Sequence, residues 1–185
     1  VKKVFIDCGF YKGKRTVLFK QSSMYSSDFV LYAFDPITKP YKVKRVDPDI
    51  IFHQKACWTY DGEIDFFASS RYKSKPSSIF VNPKGKSTLM RSPCIDFSKW
   101  ILDNFQKNDY IVLKMDIEGA EYEVLPKMLK DGSMEYVNLA FVEFHDQRPS
   151  MDFTIIERQD EIRSGIKKID GLELKSGIEW ALKSK

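Results

Sequence analysis

Cysteine is scarce in this chain. Cys8, Cys57 and Cys94 are the only three in 185 residues, and no two of them form a C-x-x-C pair. That argues against a disulfide scaffold or a zinc knuckle and fits a reducing compartment, so a cytoplasmic location is expected. No apolar run approaches the roughly 18 residues needed to span a membrane. No signal peptide is visible, yet the chain opens on Val1 rather than Met, which points to an excised domain or processed fragment whose upstream targeting information is missing. There is no internal repeat and no low-complexity tract. Neither sign of charge dominates: 30 Lys and Arg stand against 26 Asp and Glu, a net +4 too mild to indicate nucleic acid by itself.

What is present fits a soluble globular chain, with 43% hydrophobic residues and a length that predicts one domain over 1–185 with a substantial core. Short β-rich apolar runs alternate with helix-like segments, the α/β signature. Strands are expected at 4–6, 29–34, from Ile50 toward Trp58, at 110–115 and at 137–144. "YDGEIDFFAS" reads as a turn at Asp61-Gly62 entering an antiparallel strand. Helices are expected over 14–21, after "CIDFSKW", after Met115, and where Ile155, Ile162, Ile166 and Ile169 lie near helical spacing. Pro126, which cannot donate an interior hydrogen bond, is expected to break that third helix or restart it. The tail "LELKSGIEW" reads as a hairpin closing one sheet edge. From Arg71 to Arg91 there are six basic residues and no acid, interrupted by Pro76, Pro83 and Gly85. This is either a solvated loop or a flap over a substrate. Its aromatics, Tyr72 and Phe80, are too sparse for a nucleic-acid stacking platform.

Two stretches carry the chemistry. "VFIDCGFYKG" ends a strand at Asp7 and places Gly9 and Gly13 in the turn that opens a helix, and ligands of open α/β sheets sit at such strand ends. The spacing is D-x-G-x-x-x-G rather than G-x-G-x-x-G, so a dinucleotide pyrophosphate is not the obvious guest. Asp35 closes the second strand, where an acid commonly binds ribose hydroxyls. Together they suggest a cofactor with a ribose and a positive charge but no phosphate, which describes S-adenosylmethionine; a tight structural turn also accounts for the glycines alone. The second stretch, "KMDIEGAEYEVL", crowds Asp116, Glu118, Glu121 and Glu123 into eight residues after the apolar run Ile111-Val112-Leu113. Buried strands seldom end in carboxylates unless a ligand or partner offsets their desolvation. Glu121 and Glu123 have a blander explanation in the helix macrodipole.

"VFIDCGFYKGKRT", "FDP", "KACWTYDGEIDFF", "KMDIEGAEYEVL" and "VEFH" occur in the order found in FkbM-like methyltransferases, which the chain resembles over roughly Val4 to His145. The resemblance implies a Rossmann-like class I fold: a mainly parallel seven-stranded sheet with helices on both faces. It implies S-adenosylmethionine-dependent O-methylation, with a hydroxyl of a sugar or glycan as acceptor. Asp7, Gly9 and Gly13 would line the methionine end of the cofactor, and Phe10 and Tyr11 in the same turn would also contact the cofactor. Asp35 would hold the ribose, with Pro36, Ala56, Cys57 and Trp58 on the adenine side and Asp116 and Glu118 beside the transferring methyl. The alternatives are an RNA ribose 2'-O-methyltransferase, for which nucleic acid is an unlikely partner here, and an inactive Rossmann-like binding module. Other domains of a larger glycan-assembly enzyme are further expected partners.

An alcohol is a poor nucleophile, so its proton must leave before or during attack, assisted by a general base or by a divalent cation. The catalytic candidates are Asp116, Glu118, His145 and Lys114, with Asp116 or His145 as base. A second possibility is Mg²⁺ or Mn²⁺ on Asp116, Glu143 and His145; Asp146 lies beside this group. A third is a structural ion-pair network through Lys114. His53, inside a strand, reads as a packed, hydrogen-bonded histidine. Trp58, Trp100 and Trp180 read as core or rim, with Trp58 close enough to the adenine side to stack on a base.

Overall fold

The computed structural model describes residues 1–69, 87–145 and 154–176. Its centre is a six-stranded sheet in the order β3-β2-β1-β7-β8-β9. The strands are β1 (Lys3–Cys8), β2 (Phe29–Phe34), β3 (Ile51–His53), β7 (Tyr110–Met115), β8 (Leu139–Val142) and β9 (Glu173–Ser176). Every pairing among them is parallel. The α/β expectation holds. Among the described residues the sheet has six strands rather than seven, and a separate sheet of order β4-β6-β5 lies beside it, formed by β4 (Ala56–Trp58), β5 (Gly62–Ser69) and β6 (Ser87–Asp96).

Parallel strands are covered on both faces, so they read as continuous apolar runs. On one face Val4, Ile6 and Cys8 of β1 join Ile111, Leu113 and Met115 of β7, packed beneath α3 (Phe97–Asn104), α4 (Glu121–Asp131) and α5 (Thr154–Lys167). On the other face Phe5, Leu31, Ala33, Val112 and Phe141 meet Phe19 of α1 (Lys14–Gln21) and Val43 of α2 (Pro40–Val46). Phe5 and Phe19 stack with ring centroids 4.0 Å apart. Asp109 pins the entry to this core: its carboxylate accepts from the backbone N–H of Lys2 at 2.6 Å and of Gln106 at 3.0 Å. Those two bonds hold its pKa below the ordinary 3.8. A depressed carboxylate contributes stability above its unfolded pKa and loses it as pH falls. The stability gap between wild type and Asp109→Asn, measured by urea unfolding, is therefore expected to narrow between about pH 7 and about pH 3; a gap independent of pH contradicts the assignment.

Several boundaries differ from the sequence reading. The run from Ile50 to Trp58 is two strands in two sheets, because the Lys55 N–H turns back onto the His53 carbonyl at 2.8 Å. Residues 87–91 belong to β6 rather than to a loop, and Arg91 pairs across the ladder with Asp65 at 2.8 Å. The rest of the basic stretch, 71–86, lies outside the described residues, as do Asp146 and Trp180. The tail forms no hairpin in its described part: β9 runs parallel to β8 at the sheet edge. Pro126 does not break α4, which passes straight through it. A proline at 126 leaves the Tyr122 carbonyl without its intrahelical N–H, and Arg158 Nη2 of α5 donates to that carbonyl at 2.6 Å instead. Among the described residues, no helix is long and apolar enough to cross a membrane.

Candidate active site

In this strand order the connections diverge on either side of β1, which makes the carboxyl ends of β1 and β7 the switch point of the sheet. The two ends are bound together directly. Asp7 and Lys114 are register partners across β1 and β7, and both point to the α1 face. Lys114 Nζ lies 2.9 Å from Asp7 Oδ1 and donates to the carbonyls of Cys8 at 3.0 Å and Gly9 at 2.8 Å. Two of its N–H groups are thus taken by carbonyls, and the Asp7 oxygen is held by charge. Thr16 Oγ1 of α1 donates to the other Asp7 oxygen at 2.6 Å. Burial alone would pull the Lys114 pKa down, but the charges of Asp7 and then Asp116 outweigh it and hold the ammonium above its ordinary value. This places Asp7, with no exposed surface, under the floor of the mouth.

Gly9 rests on the backbone of the opposite turn. A Cβ at this position would fall 1.8 Å from the Asp116 carbonyl oxygen, and its φ of 83° is left-handed, so only glycine fits here. Its N–H and that of Phe10 both donate to the Phe34 carbonyl, at 2.9 and 3.1 Å. Phe10 itself is buried, its ring beneath Gly13. Asp35 stitches the turn to the end of β2. One carboxylate oxygen accepts from the Tyr11 N–H at 2.7 Å, and the other accepts from the Ile37 and Thr38 N–H groups at 2.8 and 2.6 Å. The Thr38 hydroxyl returns a bond to the Tyr11 carbonyl at 2.8 Å. A carboxylate has about four acceptor positions, so Asp35 retains room for one further donor, beside the partly buried Pro36.

On the flank of β3 and β4, Cys57 is buried in the core against Cys8, while Ala56 and Trp58 are partly exposed. Burial first, and the Cys57 thiol second, push the Cys8 thiol well above its ordinary pKa, so it is no nucleophile. His53 stacks on Phe34 at 4.6 Å, and burial followed by the Lys55 charge lowers its pKa. It is packed, as expected. Its Nε2 and the Trp58 Nε1, however, are buried without a hydrogen-bond partner among the described residues.

The chain leaves β7 through a left-handed turn, with φ of 61° at Glu118 and 107° at Gly119. Holding a bulky residue there costs on the order of 1–3 kcal/mol. The turn brings Glu118 and Asp116 onto His145, which follows β8. His145 Nε2 lies 3.3 Å from Glu118 Oε2 and 3.6 Å from Asp116 Oδ1. Glu121 fixes the imidazole from behind: its Oε1 accepts from the His145 N–H at 2.9 Å and faces Nδ1 at 2.9 Å, while its Oε2 accepts from the Gly119 N–H at 2.9 Å. Burial would lower the His145 pKa, but the Glu121 bond and the charges of Glu121, Asp116 and Glu143 reverse this and raise it.

A family model described as Methyltransferase FkbM domain matches residues 7–168. The chain belongs to this family. No curated protein and no solved structure matches it. In this FkbM methyltransferase the residues singled out from the sequence form three groups. Asp7, Gly9, Lys114 and Asp116 meet where β1 and β7 end; Tyr11 and Asp35 meet beside them; and Asp116, Glu118 and His145 converge at the turn after β7. Glu143 is exposed and outside the last group, so Glu118 stands where Glu143 was expected. Glu121, for which the helix dipole is the sequence expectation, is instead the buried partner of His145. The signal for it was present: with Val124, Leu125 and Met128 it occupies the buried face of α4, where a carboxylate needs partners.

Proposed function

We propose that the chain transfers a methyl group from S-adenosylmethionine to a hydroxyl of a sugar or glycan. The observation that carries the reading is the backbone contact between Gly9 and Asp116, which sets a glycine turn and a carboxylate–histidine cluster at one mouth. Methyltransferases of this family generally use S-adenosylmethionine. The remaining acceptor position on Asp35 suits the ribose. The first turn of α1 holds Lys14 and Arg15 and no acid, which favours the carboxylate of the methionine part. Trp58 Nε1 and His53 Nε2, without a hydrogen-bond partner among the described residues, suit the adenine side. In the reaction the acceptor oxygen attacks the methyl carbon, and the carbon–sulfur bond breaks with its electron pair remaining on sulfur. The hydroxyl proton passes to a carboxylate of the cluster. Lys114 does not exchange protons in this scheme; it is a positioning residue that fixes the two strand ends.

Asp35→Ala is expected to weaken S-adenosylmethionine binding by about 10- to 100-fold in calorimetry, the equivalent of one charge-assisted hydrogen bond. Unchanged affinity in a folded variant refutes the ribose assignment. The acceptor class is tested by incubating the wild type with S-adenosylmethionine and either a sugar panel or capped RNA, with mass-spectrometric detection. Methylated sugar supports the reading, and methylated RNA alone replaces it with a ribose 2'-O-methyltransferase.

A further inference from the structure

We propose that Asp116 Oδ1, Glu118 Oε2 and His145 Nε2 form a divalent-cation site of the Mn²⁺ type, with Glu121 as the carboxylate that orients the histidine. What the ion does once bound rests on the proposed hydroxyl chemistry; whether it binds does not.

The spacing of the three atoms is the first argument. One ligand atom from each of the three residues lies within 4.8 Å of the others. Ligands about 2.1 Å from an octahedral ion stand roughly 3.0 Å apart at right angles. The two distances from His145 Nε2, 3.3 and 3.6 Å, already approach that value. A plain ion pair predicts something else. A charged imidazole donating to one carboxylate settles at about 2.7–2.9 Å, as Nδ1 does against Glu121 at 2.9 Å. Nε2 instead stands off from two oxygens at once, at distances longer than a charge-assisted bond and suited to sharing a central atom.

The support behind the three atoms is the second argument. Glu121 has no exposed surface, and its two oxygens grip both sides of the site: His145 through its backbone N–H and Nδ1, and the Glu118–Gly119 turn through the Gly119 N–H. With its proton on Nδ1 toward Glu121, the ring presents the Nε2 lone pair to the cluster. Metal-ligating histidines are oriented by a carboxylate in this way. Lys114 Nζ stands 3.7 Å from the far oxygen of Asp116, on the side away from the histidine.

Two carboxylates and one imidazole favour Mn²⁺ over Mg²⁺, which seldom takes histidine. Three protein ligands leave positions for water and for the acceptor hydroxyl. Coordination would lower the pKa of that hydroxyl. Its proton would then leave to water as the oxygen attacks the methyl carbon, and Asp116 would serve as ligand instead of proton acceptor.

The test is titration of the purified protein with Mn²⁺ alone, following free ion by electron paramagnetic resonance with neither donor nor acceptor present. One bound equivalent is expected. His145→Ala should abolish it, Glu121→Gln should weaken it by roughly 10- to 100-fold, and Glu143→Gln should retain the bound equivalent, since Glu143 acts on His145 by charge and lies outside the three ligands. No binding to the wild type at millimolar Mn²⁺ overturns the proposal, and so does binding that survives His145→Ala in a folded variant. Because the readout is independent of turnover, a negative result leaves the proposed methyl transfer standing.

Discussion

Asp116→Asn is expected to lower turnover by about 10²- to 10⁴-fold, the usual contribution of a positioned proton acceptor or ligand, while S-adenosylmethionine affinity stays within about twofold. The substitution keeps the volume and removes the charge. It leaves the backbone bond from the residue-116 N–H to the Cys8 carbonyl, 3.1 Å long, which ties the two strand ends. It removes one of the two charges beside Lys114 but leaves the 2.9 Å contact with Asp7 and the bonds to the Cys8 and Gly9 carbonyls, so the mouth should keep its shape. In barrier terms the loss is about 2.7–5.4 kcal/mol. Single-turnover kinetics separates the chemical step from binding, and wild-type rates would remove Asp116 from the chemistry in either role, base or ligand.

Lys114→Met should destabilise the fold by about 3–5 kcal/mol, since removing one member of a buried pair strands the other charge. Asp7 would remain with no exposed surface and, among the described residues, Thr16 as its side-chain partner; the Gly9 carbonyl would lose the Lys114 donor, and the Cys8 carbonyl would keep the Asp116 N–H alone. For a chain of this size each kcal/mol moves the melting temperature by about 2–4 °C, so a fall of roughly 6–20 °C is expected. The double variant Lys114→Met with Asp7→Leu should recover part of the loss, because no charge is then left unpaired. A single variant that loses less than about 1 kcal/mol in urea unfolding, or a double variant less stable than the single, contradicts the buried-pair account.

The elements that sequence made legible are those with a strong local signature. The bounds of α1, β2 and β7 coincide with the expected 14–21, 29–34 and 110–115, because β2 and β7 are largely apolar runs and α1 starts directly after the glycine turn at Gly13. Helix α2 went unread although Pro40 stands at its first position, a known start signal. Strand β6 was hidden because its first residues, Ser87 to Arg91, hold no acid and end on a base, and so read as the close of the basic stretch; the antiparallel pairing with β5 separates them. Pro126 shows the limit of a local rule, since the partner that satisfies the freed carbonyl, Arg158, lies 36 residues downstream of Tyr122. The same limit applies to the site. Asp116, Glu118 and His145 were identifiable as residue types at strand ends, but register decides that Lys114 faces Asp7 rather than the mouth, and register is not a property of one segment. Glu121 needed both views at once: its place on an apolar helix face, and a histidine arriving from another strand to meet it.

The backbone contact between Gly9 and Asp116 also bears on how such a chain could acquire a new acceptor. Peptide atoms, not side chains, set the separation of the two turns, so ordinary substitution cannot widen or narrow it. Changes of taste must then come from segments around the rim, where length and composition can drift while the methyl-transfer distance stays fixed. Swapping rim segments between relatives, with the glycine and its facing carbonyl kept intact, is the natural route to redirecting this scaffold.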